Sequence, residues 1–146
     1  KKFKITGIDT SKEMLKLAKQ KSPQTTFKRQ DMRKLNFSAN YFDGILAAFS
    51  LIHIPKKDIP KLLSNFYKIL KKDGIIYMAL QAGKSKETFV KDPLKPDEKL
   101  FLNIFSLKEI KKLLTKNRLT IIEKYAKARK STKEHNFTKL HIIAKK

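Results

Sequence analysis

Asp9 and Asp31 each stand just beyond a short run of apolar, β-branched and aromatic residues, Phe3 to Ile8 and Thr25 to Arg29. A carboxylate at the end of a strand can accept hydrogen bonds from both hydroxyls of a ribose, the role that an acidic residue has in nucleotide-binding α/β sheets. Asp31 can likewise accept from an exocyclic adenine amine, with Met32 beside it for apolar contact. Each has a plainer alternative, since Asp also caps helices and closes Asx-turns. Two such carboxylates one strand apart favour the nucleoside reading. Phe49 to His53 and Gln81 to Gly83 follow two further apolar runs, so they too stand where an open parallel sheet binds ligands. His53 is the one imidazole near a predicted strand end; it can bind a substrate or accept its proton, or it can cap or pack against the helix after Pro55. Asp43 precedes its apolar run and is expected to be structural.

These residues need elements to hold them. Residues 3–8 read as a strand, and Thr10 with Glu13 reads as a capping box opening a helix whose buried face is Met14, Leu15, Leu17 and Ala18. Pro23 ends that helix near Ser22. Residues 25–29 form the next strand and 32–41 a connection. Phe42 to Phe49, FDGILAAF, has the apolar continuity of an interior parallel strand covered on both faces. Ile59, Leu62, Leu63, Phe66, Ile69 and Leu70 mark an amphipathic helix that ends at Lys72-Asp73-Gly74, and residues 75–80 form a strand. Residues 81–103 read as a long connection able to cover a ligand. Ser106 and Glu109 open a last helix, and 119–125 and 137–144 close the chain as an antiparallel hairpin around a polar turn, 127–136.

The 146 residues suffice for one domain. Thirty-five Lys and Arg against thirteen Asp and Glu give a net charge of +22, a field that attracts anionic partners, nucleic acid among them. That charge is spread along the chain, with no zinc-finger spacing or aromatic RNA-binding signature beside it. With no cysteine and three histidines, no disulfide and no metal site are expected. The absence of any apolar run near the ~18 residues of a membrane span leads to the expectation of a cytoplasmic protein.

The segments ITGIDTSKEMLKLAKQK, FKRQDMRKLNF and YFDGILAAFSLIHIP resemble the second strand and helix, the third strand and turn, and the fourth strand and active-site segment of class I S-adenosylmethionine-dependent methyltransferases. YKILKKDGIIYMAL and the closing FTKLHIIAKK are similar to that family's fifth strand and final hairpin. The resemblance implies a Rossmann-like α/β fold with a mostly parallel sheet and a C-terminal antiparallel hairpin. It implies S-adenosylmethionine as cofactor, with Asp9 on the ribose hydroxyls, Thr10 and Met14 nearby, Asp31 and Met32 at the adenine, and Phe49 and Ser50 beside the transferring methyl group. His53 would line the acceptor site. The 81–103 segment, with Lys84, Lys86 and Lys91, would cover a small-molecule acceptor.

One departure matters. The family's first strand and glycine-rich turn have no counterpart here, where the glycines are Gly7, Gly44, Gly74 and Gly83. The expectation is therefore an N-terminally truncated domain, a sheet completed by a separate chain or an oligomer, or an altered strand order. Two other functions compete with methyl transfer: an inactive binding or regulatory module of the same fold, and a basic RNA-binding protein or RNA methyltransferase.

Overall fold

In the computed structural model, which describes residues 3–92, 97–127 and 137–146, the chain divides into two units, Lys1–Phe37 and Ser38–Lys146. The first contains β1 (Thr6–Asp9), α1 (Lys12–Lys21), β2 (Thr26–Arg29) and a 3-10 turn over Met32–Lys34. β1 and β2 run parallel, with Thr6 opposite Thr26 and Asp9 opposite Arg29. Gly7 is required at its place, because a Cβ there would come within 2.7 Å of the ring of Phe27, its register partner.

Two details of the expected helix are corrected. The cap of α1 is Ser11, whose hydroxyl oxygen accepts from the Met14 N–H, and not Thr10. The reason lies in Asp9, which takes the Ser11 N–H at 2.8 Å and so carries the turn one residue further before the helix begins. The expected buried face is also only half covered: Leu15 and Ala18 are intermediate, while Met14 and Leu17 remain exposed. Amphipathic spacing shows which face is apolar but not what lies against it.

The second unit contains β3 (Phe42–Ala48), 3-10 turns over Leu51–His53 and Lys56–Asp58, α2 (Ile59–Ile69), β4 (Leu70–Ala82), β5 (Lys86–Lys91), β6 (Lys99–Phe105), α3 (Leu107–Lys116), β7 (Thr120–Lys127) and β8 (Thr138–Lys145). The six strands form one sheet built on β4. β8 lies antiparallel along β4 from Ile75 to Ala82. β3 runs parallel to β4 as far as Ala48 opposite Ala79, and β6 then joins β4 at Gln81 and Ala82.

The expected mostly parallel sheet is not found. In this main sheet three pairings are antiparallel (β4–β8, β5–β6 and β7–β8) and two are parallel (β3–β4 and the short β4–β6). The excess comes from residues 81–103. They hold β5 and most of β6, an antiparallel pair in which Phe89 opposes Phe101 with ring centroids 5.6 Å apart. Charges at both ends of β5, Lys86 and Glu87 before and Lys91 after the short run Thr88 to Val90, left no strand period to read. The closing pair β7–β8 is the hairpin the sequence indicated, although its turn, 128–136, lies outside the described residues.

β3 is corrected as well. Among the described residues it pairs with β4 alone, and Leu46 is 77% exposed. An uninterrupted apolar run reports β propensity and does not reveal how many neighbours a strand has. The core lies on the other face, where Ile76, Met78 and Leu80 of β4 and Leu140, Ile142 and Ala144 of β8 are buried with Leu62, Leu63 and Phe66 of α2 and Ile110 and Leu114 of α3. Each such large side chain contributes about 1.5–3 kcal/mol on leaving water. α3 opens with the expected capping box, Ser106 and Glu109 bonding reciprocally. The expected end of α2 at Lys72-Asp73-Gly74 is corrected: the helix stops at Ile69 with Leu70 as its cap, and Asp73, left-handed at φ 63°, lies within β4. Gly74 serves closeness instead, since a Cβ there would sit 2.9 Å from the Lys71 carbonyl oxygen.

Candidate functional site

Asp9, Thr10, Met14, Asp31 and Met32 belong to the first unit; Phe49, Ser50 and His53 belong to the second. In the first, parallel pairing sets the ends of β1 and β2 side by side, and the Gln30 N–H donates to the Asp9 carbonyl at 3.0 Å. A depression of about 280 Å³ opens there, lined by Thr10, Arg29, Gln30 and Asp31. It is close to the lower end of the ~300–1,000 Å³ usual for small-molecule sites. The Arg29 guanidinium donates to the Thr10 carbonyl at 3.0 Å and closes one wall.

Both carboxylates take the structural contacts that the sequence left open; Asp9 keeps one open oxygen, whereas both oxygens of Asp31 are engaged by Arg33. Asp9 Oδ1 accepts from the Ser11 N–H, while Oδ2 has no partner among the described residues. Asp31 caps the 3-10 turn by accepting from the Arg33 N–H at 2.8 Å. The Arg33 side chain grips the same carboxylate, at 2.6 Å from Nη2 to Oδ2, and holds it below the usual aspartate range. Asp31 therefore stays ionised and acceptor-only near neutrality. Met32 is half-buried, and the side chain of Met14 is exposed.

Gln30 was overlooked as a site residue. Its side-chain amide donates to the Lys34 carbonyl at 3.3 Å, while its Oε1 is buried with no partner among the described residues. A buried acceptor left open costs free energy unless a ligand or water supplies a donor. Its only signal in the sequence was its place beside Asp31 at the strand exit.

In the second unit, Phe49 follows the end of β3 with φ 53°, a left-handed conformation that is costly for a bulky aromatic and that concentrates at functional sites. Its N–H donates to the Ala79 carbonyl at 2.8 Å, which secures the bend. Ser50 opens the 3-10 turn without a side-chain cap bond. Leu51 and Ile52 are buried and turn His53 outward. The His53 Nδ1 lies 3.0 Å from the Phe101 carbonyl oxygen. A carbonyl only accepts, so Nδ1 carries a proton and Nε2 is the ring nitrogen left to face a ligand.

A larger depression of about 630 Å³ lies between α3 and β7, lined by Lys111, Thr115 and Arg118 among others. It contains none of the residues the sequence singled out and stands away from the strand ends that position chemistry in such sheets. No helix among the described residues is long and apolar enough to cross a membrane.

Comparison with known proteins gives this geometry a context. A family profile described as a methyltransferase domain matches residues 1–74. The Bacillus subtilis (strain 168) protein YqeM is 33% identical over 81 residues, which are 52% of this chain and 33% of that protein. The ubiquinone/menaquinone biosynthesis C-methyltransferase UbiE of Campylobacter jejuni is 29% identical over 86 residues, 59% of this chain and 36% of that protein. The chain thus spans about a third of the length of these curated relatives. Among solved structures, a SAM-dependent methyltransferase from Methanosarcina mazei superposes with a TM-score of 0.84 at 20% identity, over 97% of this chain and 81% of that one.

Proposed function

Because the chain belongs to the methyltransferase domain family, we propose that it serves S-adenosylmethionine-dependent methyl transfer to a small-molecule acceptor. The observation that carries this reading is the pair of adjacent strand ends bearing Asp9 and Asp31, with a depression lined by Thr10, Arg29, Gln30 and Asp31, and open acceptor atoms at Asp9 Oδ2 and at the buried Gln30 Oε1. These residues fit a nucleoside, which offers ribose hydroxyls and an adenine amine as donors. The cofactor supplies an electrophilic methyl group when bound.

In this reading Asp9 Oδ2 accepts from the ribose, with Thr10 and Met14 beside it. Gln30 Oε1 and Asp31 address the adenine edge, and Met32 covers its face. Phe49 and Ser50 flank the transferring methyl group. His53, with Nδ1 donating to Phe101, takes a proton from the acceptor at Nε2 as the new bond forms. The β5–β6 hairpin, carrying Lys84, Lys86 and Lys91 in and beside it, covers an acceptor of anionic or polar character. UbiE, by its name a C-methyltransferase of quinone biosynthesis, supports a small-molecule acceptor.

The test is label transfer from methyl-labelled S-adenosylmethionine to a panel of small quinols, phenols and amines, with short RNA as a comparison. Transfer to a small acceptor, reduced in His53→Asn, is the expected result. Transfer to RNA alone would replace the acceptor class, and neither transfer nor cofactor binding would overturn the reading.

A further inference from the structure

His141 is the least expected polar residue of the second unit. It lies on β8 opposite Ala79 of β4 and Tyr125 of β7, and it is 9% exposed. Its Nδ1 lies 2.6 Å from the Tyr77 hydroxyl. Tyr125 stacks on the imidazole with centroids 4.5 Å apart and planes within 7°. The ring also meets Phe49 edge-on, with centroids 6.4 Å apart and planes at 82°. The same Ala79 whose register partner is His141 accepts the Phe49 N–H. Backbone and side chain of Phe49 are therefore both referred to this one cross-strand position. That matters because the left-handed conformation at Phe49 persists only where its surroundings over-determine it.

We propose that His141 is a positioning residue that fixes the Phe49 ring, and through it the bound cofactor, by way of the Tyr77–His141–Tyr125 network. The inference rests on the reading that Phe49 lies against S-adenosylmethionine, and it extends that reading to a residue two strands away from β3.

The network works with a neutral imidazole. Burial first, and then the ammonium groups of Lys127 on β7 and Lys139 on β8, hold His141 below the usual histidine range. The other titratable groups in contact with it among the described residues are Tyr77 on β4 and Tyr125 on β7, and Phe49, just after β3, brings no charge. Nε2 is buried and has no partner among the described residues, so a proton added to the ring places a charge where no acceptor receives it. A charged ring next to two lysines loosens the stack, and with it Phe49.

The experiment is calorimetric titration of S-adenosylhomocysteine into the parent, His141→Phe, His141→Ala and Phe49→Ala, from about pH 8 down to about pH 5. His141→Phe retains the stack and the edge contact but cannot titrate. The parent should lose affinity on acidification, and His141→Phe should bind within a few-fold of it with a flat profile. His141→Ala should weaken binding by about threefold to tenfold, the range of an aromatic contact. Should His141→Ala not fold, the pH profiles of parent and His141→Phe decide alone. Identical pH profiles for those two overturn the inference, as does weaker binding in Phe49→Ala without any change in His141→Ala. Unchanged affinity in Phe49→Ala overturns instead the underlying placement of Phe49 at the cofactor.

Discussion

The ammonium of Lys56 stands 2.5 Å from Glu109 Oε1, joining the turn before α2 to the first turn of α3 across 53 residues of sequence. The same ammonium reaches Ser85 Oγ at 2.6 Å and the Ile104 carbonyl at 3.1 Å, and the Lys56 N–H donates to Glu87 Oε1 at 2.7 Å. One side chain thereby ties the segment carrying His53 to the β5–β6 hairpin and to α3.

Lys56→Met should destabilise the protein by about 1–3 kcal/mol, because both partners are only 24% exposed and Glu109 would be left without its cation. Urea unfolding checks this, and a change below about 0.5 kcal/mol would class the contact with ordinary surface pairs.

The same contact predicts a pH dependence. Burial pushes the Glu109 carboxyl up, but hydrogen bonds from Lys56 and Ser85 outweigh it and leave the group below its usual range. A carboxylate depressed in the folded state contributes stability that is complete above its unfolded pKa and is lost as pH falls through its folded pKa. Glu109→Gln should therefore flatten the acid limb of the stability curve, and an unaltered limb would contradict the assignment.

His53 should be found as the Nδ1–H tautomer, the form imposed by the Phe101 carbonyl 3.0 Å away. Long-range proton–nitrogen NMR correlations distinguish the two forms. The Nε2–H tautomer would remove His53 from the role of proton acceptor.

Much of this was legible in the sequence, and the failures share one cause. The ends of β1 and β2 were marked by Asp9 and Asp31, and α2 and α3 by apolar spacing and the Ser106–Glu109 box, because these are local patterns. What depends on neighbours was not. FDGILAAF reads as a buried strand, but its pairing with β4 alone is not written in its own residues. The β5–β6 pair was read as a connection because Lys86, Glu87 and Lys91 leave β5 only three uncharged residues, and Pro93 and Pro96 follow it in the sequence. His141, counted only as one of three histidines, gained its meaning from Tyr77, Tyr125 and Phe49, which lie on three other strands or strand ends.

The central claim is that Asp9 holds a nucleoside cofactor, and calorimetry of S-adenosylhomocysteine with the parent and Asp9→Ala tests it most directly. The account predicts saturable binding by the parent and a loss of about 1.5–3 kcal/mol in the variant, at least tenfold in Kd, since a charge-assisted hydrogen bond from ribose is removed. Equal affinity in the two proteins would leave Asp9 with the Ser11 turn as its whole role, and no binding by either would contradict the proposed function itself.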